Sequence, residues 1–146
     1  MLVVLIIMGI LMSIALPKFG AIRDKAAVSS TKQKLIGYLA MTRAAAIRQS
    51  SSAEFRLWDN NVSATVTQPN GTKLSLGSAE HLDKKEGVVI TRGTGVVRDL
   101  ITFDPRGLSL INTDATGRWV FVVTRNNVKD SICISRLGLI ARTCGS

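Results

Sequence analysis

Apolar and polar positions divide this chain into three stretches. Residues 1–17, MLVVLIIMGILMSIALP, hold no charged side chain, and Lys18 is the first charge. Beyond it the apolar positions recur instead of running on. Val28, Leu35, Leu39 and Ala46 fall near helical spacing, and Ile36, Ala40 and Ile47 widen the stripe. Lys25, Lys32, Lys34 and Arg43 occupy mostly other faces. The pattern predicts one long helix over residues 1 to about 49, kinked at Pro17, since an interior proline removes a hydrogen bond and bends the axis. Gln49 and three serines end it. Residues 1–17 are apolar all round, whereas 18–49 are apolar on one side. The second part can pack on a domain; the first is too apolar and too far out for so small a domain to cover. Met1 to Leu16 reaches about 24 Å at 1.5 Å per residue, a little under the roughly 20 residues of a simple membrane span.

From residue 50 to 146 the period changes to that of strands. "EFRLW" alternates, Asp59-Asn60-Asn61 turns, "VSATVT" alternates again, and "QPNG" turns into "TKLSL". A loop is expected over residues 77–87, rich in charge and glycine, followed by "VVIT". "LITFD" leads into the turn "PRG"; "RWVFVVT" is the most apolar strand. Asn126-Asn127 suits a tight hairpin into "VKDSICIS", and "RLG" allows a reversal into "LIAR". No internal repeat or disordered tract is visible. The fold class is therefore α+β: a long N-terminal helix packed on a C-terminal antiparallel β domain.

Charge changes the picture only through its location. The chain of 146 residues carries a formal net charge of +9. Residues 18–49 hold seven basic residues against Asp24 alone, a net of +6, and residues 50–146 supply the other +3. A basic run beside an apolar segment reads first as an interfacial anchor or solvated face; binding of nucleic acid comes second. A cleaved secretory signal is disfavoured, because the basic start is missing and a periodic helix follows.

Candidate chemistry is sparse. His81, the single histidine, sits in the charged loop, and no Ser/His/Asp arrangement is legible. Two cysteines and one histidine do not make a zinc site. "RGTGVV" holds only a Gly-x-Gly, and Asp104 and Asp114 lack calcium-loop spacing. Neither catalysis nor a cofactor is expected. Asn61-Val62-Ser63 and Asn70-Gly71-Thr72 match the glycosylation sequon at predicted turns. Trp58 and Trp119 read as core or edge packing before a binding platform. Cys133 and Cys144 are either two thiols or one disulfide. On a straight strand they would stand about 36 Å apart at 3.3 Å per residue, and a bridge needs Cα atoms within about 7 Å. A disulfide therefore requires a reversal, for which Arg136-Leu137-Gly138 is the natural place. It would also put the domain outside the cytoplasm.

"MLVVLIIMGILMSIALPKF" resembles the N-terminal helix of type IV pilins and of the pseudopilins of type II secretion. In that pattern a basic leader, a glycine cut site and Phe-Thr-Leu-Ile-Glu precede an apolar run with an internal glycine and a later proline. Gly9 and Pro17 stand at the family's spacing, and Met1 falls where the residue after the glutamate would be. "RAAAIRQSS", "ITFDPRGL" and "ICISRLGLIAR" are similar to the GspH/FimT type of pseudopilin and minor pilin. The resemblance implies a leader ahead of Met1 and a single-pass inner-membrane subunit. That subunit would then join a periplasmic or extracellular helical filament with copies of itself and other pilins. Leu5, Gly9, Ile10, Ile14 and Pro17 would form the filament core. DNA-binding minor pilins of this type carry Gly-Arg-x-Arg near the C-terminus; here Leu139 and Ala141 stand where two of its arginines would be, flanked by Arg136 and Arg142. Nucleic acid is thus a secondary expectation as a partner. A plain single-pass membrane protein with an extracytoplasmic β domain is the third.

Overall fold

The computed structural model describes residues 2–82, 86–93, 98–110, 118–142 and 144, without the side chains of 2–6, 9–18, 98 and 99. A single helix, α1 (Leu2–Arg48), runs the length of the N-terminal third. Pro17, where a bend is expected, lies within this helix, and its side chain is among those not described. Among the described side chains none before Ala27 is buried; from there Val28, Thr31, Leu35, Leu39, Thr42 and Ala46 form a buried stripe. Successive members stand three or four residues apart, so they share one helical face. The helix ends as its sequence predicts. Ser50 turns left-handed (φ 48°), and the Ser51 N–H reaches back to the Ala46 carbonyl at 3.1 Å. This closing turn satisfies carbonyls that the helix leaves open.

The strands are β1 (Ala53–Trp58), β2 (Asn61–Thr67), β3 (Lys73–Ser75), β4 (Glu80–His81), β5 (Val89–Arg92), β6 (Arg98–Phe103), β7 (Ser109–Leu110), β8 (Arg118–Arg125), β9 (Val128–Ser135) and β10 (Ile140–Ala141). Among the described residues they make two sheets whose strand pairs are all antiparallel. The first has the order β3-β2-β1-β6-β7, with β4 also on β2; the second has the order β10-β9-β8-β5. The chain enters the second sheet at β5, returns to the first for β6 and β7, and ends in the second. Neither sheet can form from one continuous piece of chain. The helix packs on β1, β2, β8 and β9, so it lies across both. Its leucines meet a core of Phe55, Phe103, Phe121, Ile101 and Ile132, all fully buried. Phe55 and Phe121 join the sheets edge to face at 6.1 Å.

Two short strands depart from the sequence reading. The loop expected over 77–87 contains β4, and "SL" after the "PRG" turn forms β7. Each has only two residues, too few for an alternating pattern to show. Asp59 and Asn60 both adopt positive φ (48° and 56°), the two-residue hairpin geometry that matches strand twist. Asn60 also ties the sheets together. Its carbonyl accepts the Leu82 N–H at 3.0 Å, and its Oδ1 accepts the Ile90 N–H of β5 at 2.8 Å.

Two glycine turns converge on the C-terminal half of the helix. Gly107 (φ +79°) and Gly138 (φ +69°) lie in the β6–β7 and β9–β10 turns. Arg43 donates from Nε to the Gly107 carbonyl at 3.0 Å and from its guanidinium to the Leu137 carbonyl at 3.3 Å. The Ser109 N–H bonds the Arg136 carbonyl at 3.0 Å, and Ser109 Oγ bonds the Ser135 carbonyl at 2.8 Å. A Cβ on Gly138 would run into the Gly107 carbonyl oxygen. Gly138→Ala should therefore cost about 2–4 kcal/mol, adding a backbone clash to the strain of positive φ. Gly71 has positive φ but open space around it, so Gly71→Ala should cost only about 1 kcal/mol. Urea melts of the two variants side by side check this; equal losses would mean that the crowding at Gly138 is unimportant.

Candidate assembly surface and C-terminal site

The helix carries its functional side chains in two zones. Val28, Leu35, Leu39 and Ala46, the predicted stripe, are buried. Ile36 is half-buried, but Ala40 is exposed and Ile47 is 47% exposed, so the stripe is narrower than its apolar residues suggested. Toward the N-terminus Ile7, Met8, Phe19 and Ile22 are all more than half exposed. The expected filament-core positions Leu5, Gly9, Ile10, Ile14 and Pro17 lie on this helix, with side chains outside the described set. Among the described residues no helix is long and apolar enough to cross a membrane; most side chains of the apolar run, those of 2–6 and 9–17, lie outside the described set.

The basic residues of the helix are not simply a solvated face. Lys32 pairs with Asp130 at 2.7 Å and keeps 12% of its side chain exposed. Lys34 bridges Glu80 at 3.1 Å and Glu86 at 3.2 Å. Arg125 reaches Asp24 at 2.9 Å, and Asn126 Nδ2 donates to the same carboxylate at 2.8 Å. Arg125 also donates to the Glu86 carbonyl. Lys32, Lys34 and Arg43 flank the buried stripe, where a long side chain can lay its stem on apolar surface and reach a partner on the head. Their positions within three or four residues of stripe members were the available signal; what the sequence hid was the acids opposite. The Glu80 carboxylate raises the Lys34 ammonium above its ordinary 10.5, burial opposes the shift, and Glu86 reinforces it. On β1, burial pushes the Glu54 carboxyl up, but Lys73 and Arg56 outweigh it and hold the group below its ordinary 4.5.

At the other end of the chain the reversal falls where expected. Residues 136–138 turn, Gly138 N–H bonds Ser135 carbonyl at 2.9 Å, and β10 returns along β9 with Ala141 opposite Cys133. Cys133 and Cys144 form a disulfide with Cα atoms 5.4 Å apart. Arg136 and Arg142 are both exposed, on the turn and just past β10. Arg118 starts β8 opposite Ser135; Arg125 ends it, about 23 Å away at 3.3 Å per residue, and turns to the helix instead. The four arginines do not share one patch.

The remaining candidates separate by exposure. His81 belongs to β4 and not to a loop, opposite Asn61. Trp119 is buried beneath the Arg92 guanidinium at 3.9 Å, which fits the packing expectation; Trp58 is 58% exposed and is not part of the core. Asn70 is exposed on a turn, while Asn61 lies in β2 with its Oδ1 buried. Asp104 caps its own turn, accepting the Arg106 and Leu108 N–H groups at 2.9 and 2.8 Å. Asp114 and residues 94–97 of the Gly-x-Gly stretch lie outside the described residues. Among the described residues no cluster of three metal-ligating side chains occurs.

This arrangement, one long helix laid across two antiparallel sheets, has solved counterparts. The type IV minor pilin FimU of Pseudomonas aeruginosa PAO1, crystallised in space group P21, superposes with a TM-score of 0.64. The match covers 82% of this chain and 90% of that one at 16% identity. The P65 crystal form gives a TM-score of 0.55 over 80% and 90% of the two chains, again at 16% identity. This is the pilin fold. No family model matches the sequence, and no curated protein matches it. The pilin-like architecture therefore rests on shape, and the finer GspH/FimT likeness rests on the sequence stretches alone.

Two outcomes follow for the C-terminal site. Peptide mapping without reduction should link Cys133 to Cys144, and reduction should cost about 3 kcal/mol on the chain-entropy account. Recovery of both as alkylated thiols from the native compartment would contradict the staple. For nucleic acid, a head of net +3 with scattered arginines should bind duplex DNA weakly. Arg136→Ala with Arg142→Ala should weaken binding less than about threefold, because few phosphate contacts release few counterions. A salt titration that shows tight binding at physiological salt, lost in the double variant, would reverse that expectation.

Proposed function

We propose that this chain is a structural, non-enzymatic subunit, a pilin or pseudopilin, of a type IV pilus-like or type II secretion filament. The observation that carries the reading is the division of one helix. Its C-terminal half is clamped to a pilin-fold head, and the large apolar side chains described in its N-terminal half, Ile7, Met8, Phe19 and Ile22, are all more than half exposed. About 25 residues precede the first buried position, roughly 37 Å of helix at 1.5 Å per residue. A segment apolar all round needs an apolar surrounding, from lipid or from like helices. The inner membrane supplies it before assembly; the bundled helices of copies and other pilins supply it in a periplasmic or extracellular filament. The disulfide supports a head outside the cytoplasm.

Ile10→Asp tests this reading. An unpaired carboxylate in a helical core costs several kcal/mol, so filaments should disappear on electron micrographs while the circular dichroism of the head is unchanged. Filaments at the normal yield would sink the helical-core assignment.

A further inference from the structure

The outer face of the first sheet carries a groove whose lining includes no residue of the helix. It has a volume of about 650 Å³ and lies on the side of β1 and β2 opposite the core. Register places its side chains in two rows. His81, Asn61 and Trp58 stand side by side across β4, β2 and β1. Ser63, Arg56 and Leu100 stand across β2, β1 and β6 one row over. Strands lie about 4.8 Å apart and alternate residues about 6.7 Å apart, so the floor extends roughly 10 Å from Trp58 to His81. Trp58 is 58% exposed and Leu100 47% exposed. Both offer apolar surface on a face where strands usually present polar residues.

We propose that this groove binds a neutral saccharide, with one sugar ring stacked on Trp58. Three features select that chemistry. The first is the half-exposed indole itself, whose negative face attracts the weakly positive C–H edges of a ring laid over it. The second is the mixture of donors and acceptors beside it: the Arg56 guanidinium, the Ser63 hydroxyl, the Asn61 amide and the His81 imidazole can meet hydroxyls of either polarity. Asn61 Oδ1 is one of the buried side-chain polar atoms that have no hydrogen-bond partner among the described residues. Asn61 lines the groove, so a ligand hydroxyl there is a candidate partner for that oxygen. The third is charge. Arg56 is matched by Glu54 at 2.9 Å, Glu54 also takes Lys73 at 2.7 Å, and Asp59 stands among the groove's lining residues. A polyphosphate chain needs an unmatched cationic track, and this groove has its cation balanced by acids. A polyhydroxylated, uncharged ligand fits that balance.

The test uses the full chain in micelles of a zwitterionic detergent, since glycoside detergents would compete. Cellotetraose, chitotetraose and maltotetraose are titrated to about 10 mM, where even millimolar affinity saturates. Saturation-transfer NMR and calorimetry give the readout, with an oligothymidylate as the anionic comparator. At least one saccharide should bind saturably and more tightly than the oligothymidylate. Trp58→Ala should weaken that binding by about tenfold or more, and Trp58→Phe should keep it within about threefold. Leu100→Lys, which crowds the groove from β6 and leaves Trp58 in place, should abolish it and covers the case of a poorly folded Trp58→Ala. Absence of saturable binding by all three sugars would overturn the proposal. So would unchanged affinity in the well-folded variants, or preference for the oligothymidylate. None of these outcomes bears on filament formation.

Discussion

Arg43 is the point on which the architecture depends. The helix must be rigidly joined to a head whose two sheets interleave in sequence, and the join has to be made near the helix end. One guanidinium reaches the carbonyls of two separate turns, at Gly107 and Leu137. The turns come from different sheets, so the same side chain fixes helix to sheet and sheet to sheet. Hydrogen bonds from a charged donor to backbone carbonyls are among the stronger ones. They also impose a steric condition. Gly107 and Gly138 must be bare, because the side chains of Arg43 and Ile47 and the Gly107 carbonyl already fill the space where a Cβ would go.

This clamp brings together the two stretches "ITFDPRGL" and "ICISRLGLIAR". They encode the two turns that the arginine holds. The β1–β2 hairpin, the long β8 and β9 strands and the reversal before β10 were legible in the sequence, because alternation and turn residues act locally. The short β4 and β7 were not, since two residues carry no period. Partner choice was invisible as well. Nothing near Lys32 in sequence announces Asp130, which comes 98 residues later.

The burial of the basic residues matters for the electrostatics of the whole chain. Read along the sequence, residues 18–49 form a cationic collar. Folded, Lys32 and Lys34 face carboxylates on the head, Asp24 is matched by Arg125, and Arg43 sits against carbonyls. The net charge of +9 is unchanged by this pairing, but Lys32 and Lys34 are tied to carboxylates of the head and are not free members of a cationic collar. Interactions of this kind weaken with salt in proportion to their exposure, so the partly buried Lys32 pair is better protected than a surface pair would be.

The spacing of the helix-to-head ties has a mechanical meaning. Asp24, Lys32, Lys34 and Arg43 are distributed along some 19 residues of helix, about 29 Å at 1.5 Å per residue. A pull along the helix axis loads these ties and the buried stripe together, in shear. A pull perpendicular to the axis at Asp24 would peel them one at a time. The same contacts therefore resist an axial load far better than a lateral one. The head is attached as a lap joint is, strong in the direction of the helix.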